Sequence, residues 1–141
     1  MQVGILIVCH PCPNRFDEVK YGPYKELFDK VLPHEKDPVV LWDTYAEEYA
    51  HRPEFVHKFR HGYGFHGGHP LIIYGQGIYG LNHLSQLFLA GATDFETASR
   101  VGFVPFASLE AAIAEAERVK GKDCSITYLD MPGVFLSNVE P

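Results

Sequence analysis

Residues 57 to 70, HKFRHGYGFHGGHP, set four histidines, one arginine, four glycines and three aromatic side chains into fourteen positions. Imidazoles titrate near neutral pH, exchange protons and ligate transition metals, so this density of them invites a chemical reading. His57 and His61 have the i, i+4 spacing of a helical metal pair if a helix runs that far, and His66 and His69, in a glycine-rich turn, could approach them. Structural zinc sites favour cysteine partners and stiffer spacing, and nothing nearby supplies a carboxylate to orient the rings. The plain alternative is a solvated loop whose histidines do nothing specific.

Two further stretches could do chemistry. Cys9-His10-Pro11-Cys12 follows an apolar run and has the spacing of a redox pair, in which one thiol is acidified by nearby backbone N–H groups and the other resolves a mixed disulfide. Pro70 before LIIY stands where a thioredoxin-like fold would set a cis-proline, whereas Pro13 stands where that fold would already be entering a helix. Two reduced thiols in a proline-rich turn are the competing reading. In YGQGIYG, Gly75, Gly77 and Gly80 match G-x-G-x-x-G, with Asp94 downstream as a candidate ribose-binding acid. The helix that should follow has room for only about two turns, short for a dinucleotide-binding unit.

The elements that must carry these residues alternate between strand and helix. Val3 to Val8 reads as a strand buried on both faces and ends at the prolines of CHPCPN. Tyr24 to Val31, after Pro23, reads as a helix with Leu27, Phe28 and Val31 inward. VVLW is a short apolar patch, and Asp43 or Thr44 is expected to cap the next helix, with Tyr45, Tyr49, Phe55 and Phe59 inside and a break at Pro53. LSQLFLAGA reads as a strand, TDFE as a capping box led by Thr93, and Gly102 as the end of that short helix. Ser108 caps LEAAIAEAERVK, whose Leu109, Ala112, Ile113, Ala116 and Val119 form one stripe ahead of the stop at Gly121. CSITYLD reads as a last strand before the MPG turn. This order predicts a single Rossmann-like α/β domain over 1–141, a mostly parallel sheet with helices on both faces and right-handed crossovers.

Size and composition agree with one domain. The chain has 141 residues, 46% of them hydrophobic and 21% charged, enough for one continuous core. Its formal charge of -6 comes without a lysine or arginine run, so the electrostatic footprint of a nucleic-acid binder is missing. VGILIVC, seven apolar residues, is too short to cross a bilayer and lacks the flanks of a secretory signal, and three cysteines make an odd number; a cytoplasmic protein without a membrane partner is expected.

Taken in order, FVHKFRHGYGFHGGHP, a hydrophobic segment, LFLAGA and ASRVGFVPFASLEAAIAEAERVKGKDCSITYLDMPG resemble the C-terminal domain of the lactate racemase family, whose members use a nickel-pincer nucleotide. ILIVCHPCP is similar to the strand that in this family leads into a turn of small and acidic residues. The resemblance implies an α/β domain that closes over a larger N-terminal domain, with the active site between them. The lysine that tethers the cofactor and the histidines that ligate nickel and exchange the substrate proton belong to that other domain, expected here as a missing partner domain or subunit. Laying GFHGGHP on the family pattern brings His66 and His69 to the side facing the cofactor, as the catalytic candidates. Arg60 would then pair with a carboxylate or phosphate in two-pronged fashion, Tyr63 and Phe65 would form an apolar wall, and Gly62, Gly64, Gly67 and Gly68 would let the backbone approach another surface. Arg60, Tyr63, Gly67 and Gly68 are the cofactor-side candidates, and the cluster is read as a cleft lining with no metal of its own. The family would run a helix across much of Leu71 to His83, although three glycines there cost about 1 kcal/mol each relative to alanine. A strand over LIIY stays open beside it.

Three readings follow. The first is the lid-side domain of a 2-hydroxy-acid racemase or epimerase, silent without its partner, holding no cofactor alone and able to form a homo-oligomer. The second is a small thiol oxidoreductase using Cys9 and Cys12. The third is a nucleotide- or metal-binding module.

Overall fold

A computed structural model of the chain describes residues 4–17, 19–81 and 83–129. Three parallel strands, β1 Ile5–Cys9, β2 Gln86–Ala90 and β3 Val104–Phe106, pair in the order β1-β2-β3. Ile7 stands opposite Phe88, Val8 opposite Leu89 and Ala90 opposite both Cys9 and Phe106. Helices flank this sheet on both faces.

Side chains alternate across a strand, and the two faces separate accordingly. Ile5, Ile7, Phe88, Ala90 and Phe106 pack on one face against Ala112 and Ala116 of α6, Leu109–Lys120. Val8 and Leu89 point the other way, toward Ala92, Ala98 and Phe103 around α5, Phe95–Arg100. Pro105 lies in β3, opposite Leu89. A proline has no N–H to donate, and a short strand with only one described neighbour tolerates it.

Between β1 and β2 the chain builds a helical layer. Pro23 opens α1, Gly22–Glu26, which widens into a π-helical segment over Leu27–Val31; α2, Pro38–His51, α3, Pro53–His61, and α4, His69–Leu81, follow. Leu27, Phe28, Val31, Leu32, Leu41, Tyr49, Phe55 and Leu71 are buried together as its core. Arg100 fastens this layer to α5: its guanidinium lies 4.7 Å from the Phe28 ring centre and 3.6 Å from the Asp29 carboxylate. No described helix is long and apolar enough to cross a membrane.

Several sequence expectations are corrected. VVLW lies inside α2, because Asp37 caps it by accepting the N–H groups of Val39 and Val40, while Pro38 occupies the position where no donor is needed. Neither Asp43 nor Thr44 is a cap. Asp94, not Thr93, caps α5 by accepting the Thr97 N–H. Thr93 instead donates its backbone N–H and its hydroxyl to the Pro11 carbonyl at 2.8 and 2.9 Å. Phe59 is 52% exposed rather than inside. Residues 124 to 129 carry no strand; Asp130 and the MPG turn lie outside the described residues. β3 was not expected.

Candidate functional site

The histidine-rich stretch begins on α3, whose helical hydrogen bonds end at Gly62. The Lys58 carbonyl accepts two N–H groups in succession, from Gly62 at 2.8 Å and Gly64 at 3.1 Å, which folds the chain back on the helix end. The Phe65 N–H then donates to the Lys20 carbonyl at 2.9 Å, and the His69 N–H to the His66 carbonyl at 3.0 Å, where α4 starts. The loop is therefore pinned at both flanks. Its tip is not: Tyr63 is 91% exposed and holds φ +57, a left-handed conformation uncommon for a non-glycine residue and costly by about 1 kcal/mol or more.

The two candidate histidines take different partners. His69 stacks on Phe65 with ring centres 4.7 Å apart, and its Nδ1 shares a hydrogen bond with the Tyr24 hydroxyl. Burial, and secondarily Tyr21, hold the Tyr24 phenol above its ordinary range, so it carries its proton at neutral pH. With Nδ1 engaged, Nε2 is the ring nitrogen left for a ligand. His66 meets Phe59 edge-on at 5.3 Å, and its Nδ1 accepts the Gly68 N–H at 3.2 Å. Tyr21, Tyr24, Phe65 and His69 thus form one aromatic group, half-buried except for the exposed Tyr21, with Tyr21 to Phe65 at 5.0 Å and Tyr24 to Phe65 at 5.5 Å. Sequence reasoning missed the two tyrosines; the YGPY spacing, with a proline ready to start a helix, was the available signal.

The glycines divide by cause. A Cβ on Gly67 would stand 1.7 Å from the Tyr49 carbonyl oxygen, so this glycine exists for contact with α2 of the same chain. Gly68 is buried as well, yet a Cβ there would meet nothing nearer than the His66 ring at 3.6 Å. Arg60 is exposed and makes no ion pair among the described residues.

His57 and His61 do fall on one helix, both exposed, with ring centres 5.0 Å apart. His66 and His69 do not join them. Among the described residues no three histidine, cysteine, aspartate or glutamate side chains gather as a metal cage. Two surface concavities are lined by Pro38, Val39, Trp42 and Leu71, and by Gly22, Lys25 and Glu26, rather than by the histidine loop.

The cysteine pair lies at the carboxyl end of β1. Cys9 is exposed, and Cys12 is half-buried with φ +43; both are free thiols. The His10 Nδ1 accepts the Cys12 N–H at 2.9 Å. Burial pushes the Cys12 thiol up, with the Asp94 carboxylate adding to it. No helix starts at either cysteine, so the helix-terminal field that acidifies a redox thiol is missing. No described peptide bond is cis, and Pro70 sits in the first turn of α4. Gly75 and Gly77 lie inside α4 rather than in a strand-to-helix turn, and Asp94 is engaged as a cap, so the G-x-G-x-x-G reading loses its structural setting.

Comparison with protein-family models, with curated proteins and with solved structures finds no match to this chain.

Proposed function

We propose that the chain is the lid-side domain of a lactate racemase-like enzyme acting on a 2-hydroxy acid in the cytoplasm, and that its histidine loop is one wall of a cleft completed by a partner. The ordered sequence resemblance motivates this reading. The observation that carries it is the loop itself, fixed at both flanks by its own helices while Tyr63 stands exposed at its tip and Arg60, in the last turn of α3, is exposed with no ion pair among the described residues.

Within that cleft, Arg60 pairs with a carboxylate or phosphate, Tyr63 covers apolar surface, and His69, oriented by Tyr24 and Phe65, offers Nε2 to hold or relay a proton. The cofactor, held by the partner domain, would supply the hydride abstraction and return. The partner domain supplies the metal anchor and the proton-transfer bases, so this chain alone is silent.

The test is reconstitution. The chain is mixed with a cofactor-loaded N-terminal domain of a lactate racemase, and interconversion of D- and L-lactate and of longer 2-hydroxy acids is followed. Turnover in the mixture, none in either part and at least about a tenfold loss with His69→Ala are expected. Racemisation by this chain alone, or no association between the two parts, overturns the reading.

A further inference from the structure

We infer that His57 and His61 form a two-imidazole clip for a divalent transition-metal ion of the zinc, nickel or copper class. This clip is separate from the loop discussed above and does not depend on the proposed activity. The two residues are one helical turn apart on α3, whose hydrogen bonding extends through His61, so both rings rise from the same face of one rigid element. Both are exposed, and their ring centres lie 5.0 Å apart with the planes tilted by 49°.

That separation lies within the range that two imidazoles sharing an ion take. With metal–nitrogen bonds of about 2.0–2.1 Å and a ring nitrogen about 1.1 Å from its centre, two imidazoles meeting an ion at roughly 90–109° place their centres roughly 4.5–5.2 Å apart. His66 and His69 stay out of the clip, one turned to Phe59 and the other to Tyr24 and Phe65. Two nitrogen donors leave the other coordination positions to water or to an outside donor. Imidazole suits borderline ions, whereas magnesium and calcium demand oxygen ligands.

The experiment titrates Zn(II) and Ni(II) into the full chain carrying C9S, C12A and C124S, so that thiolates do not compete, and follows heat and histidine ring resonances together. Saturable binding is expected, with shifts at the His57 and His61 rings and none at His69. H57A or H61A should each weaken it about tenfold or more, because the second donor no longer binds within the same molecule. Magnesium should give no heat. The wild-type chain, read by the same ring shifts, keeps the test valid if the cysteine substitutions disturb folding. Absence of saturable binding, affinity retained within about threefold in H57A/H61A, or shifts at His66 and His69 instead would each overturn the assignment.

Discussion

The carboxyl edge of the sheet and the loop between α3 and α4 hold comparable collections of reactive side chains, and they treat them in opposite ways. At the sheet edge the polar groups satisfy one another: Thr93 donates twice to Pro11, the His10 N–H donates to Ala90 and its ring accepts from Cys12, and Asp94 is bound to Thr97. At the loop the N–H groups of Gly62, Gly64, Phe65, Gly68 and His69 are bonded, while the side chains of Tyr63 and of Arg60 at the end of α3 are exposed and make no ion pair or hydrogen bond among the described residues. Parallel sheets usually present ligand sites at their carboxyl ends. Here the residue types already point to the histidine loop, and the exposed side chains at it agree.

If that difference is real, damage to the loop's support should cost more than damage at the edge. Gly67→Ala is the most severe test. Its Cβ would overlap the Tyr49 carbonyl at 1.7 Å, and backbone cannot rotate away as a side chain can. A loss of about 3 kcal/mol in urea unfolding is expected, against under about 0.5 kcal/mol for Gly68→Ala, where the nearest atom is a ring at ordinary contact distance. Equal effects would mean that the loop is not seated against α2.

Arg52→Ala comes next. This guanidinium, 17% exposed, bridges Glu26 at 2.5 Å and Glu48 while covering the rings of Tyr49 and Phe55 at 4.8 and 4.7 Å. Burial works against its charge, but the hydrogen bonds to Glu26 and Glu48 outweigh that and raise its pKa. Its removal strips a cation from two aromatic faces and leaves Glu26 half-buried with only Lys30 near, at 3.7 Å. About 2 kcal/mol is the expected loss of thermal stability, much of it packing.

The same contrast marks what could be read from the residues. β1, β2 and α6 are legible because periodicity and punctuation agree: a branched run closed by prolines, and an apolar stripe set between Ser108 and Gly121, whose φ is +92. The start of α2 was hidden because Val39 and Val40 favour strands locally, and the Asp37 cap and Pro38 outweigh that weak preference. β3 was hidden because Pro105 and a length of three residues erase the strand signal; pairing with β2 supplies what the sequence lacks. CSITY alternates like a strand, yet through residue 129 it has no described neighbour to pair with. At the candidate site the histidines were legible by type. Their division into the His57 and His61 pair, His66 with Phe59, and His69 with Tyr24 and Phe65 depends on where α3 stops, which Gly62 decides only once the Lys58 carbonyl takes both N–H groups.

A smaller effect tests the sheet edge directly. Cys9 is exposed, whereas Cys12 packs beside Val8 and Leu89 with its proton retained by burial and then by Asp94. Iodoacetamide at about pH 8 should label Cys9 several-fold faster than Cys12, read by peptide mass, since only a thiolate reacts. Faster labelling of Cys12 would reopen the reading of this turn as a reactive redox site.

The smallest expected effect belongs to Asp94 itself. Hydrogen bonds from Thr97, its backbone N–H first, hold this carboxyl below the usual range, and Arg100 adds to the shift. A group with a lowered folded pKa stabilises the fold above its unfolded value of about 3.9, and that stability is lost as pH falls through the folded value. Asn is as good a cap by geometry but does not titrate. Stability measured from pH 7 down to pH 2 should therefore show wild type above Asp94→Asn at neutral pH, with the two curves converging below about pH 4. Parallel curves would show that Asp94 is an exposed carboxylate with no stake in the fold, and the sheet edge would then have spare capacity after all.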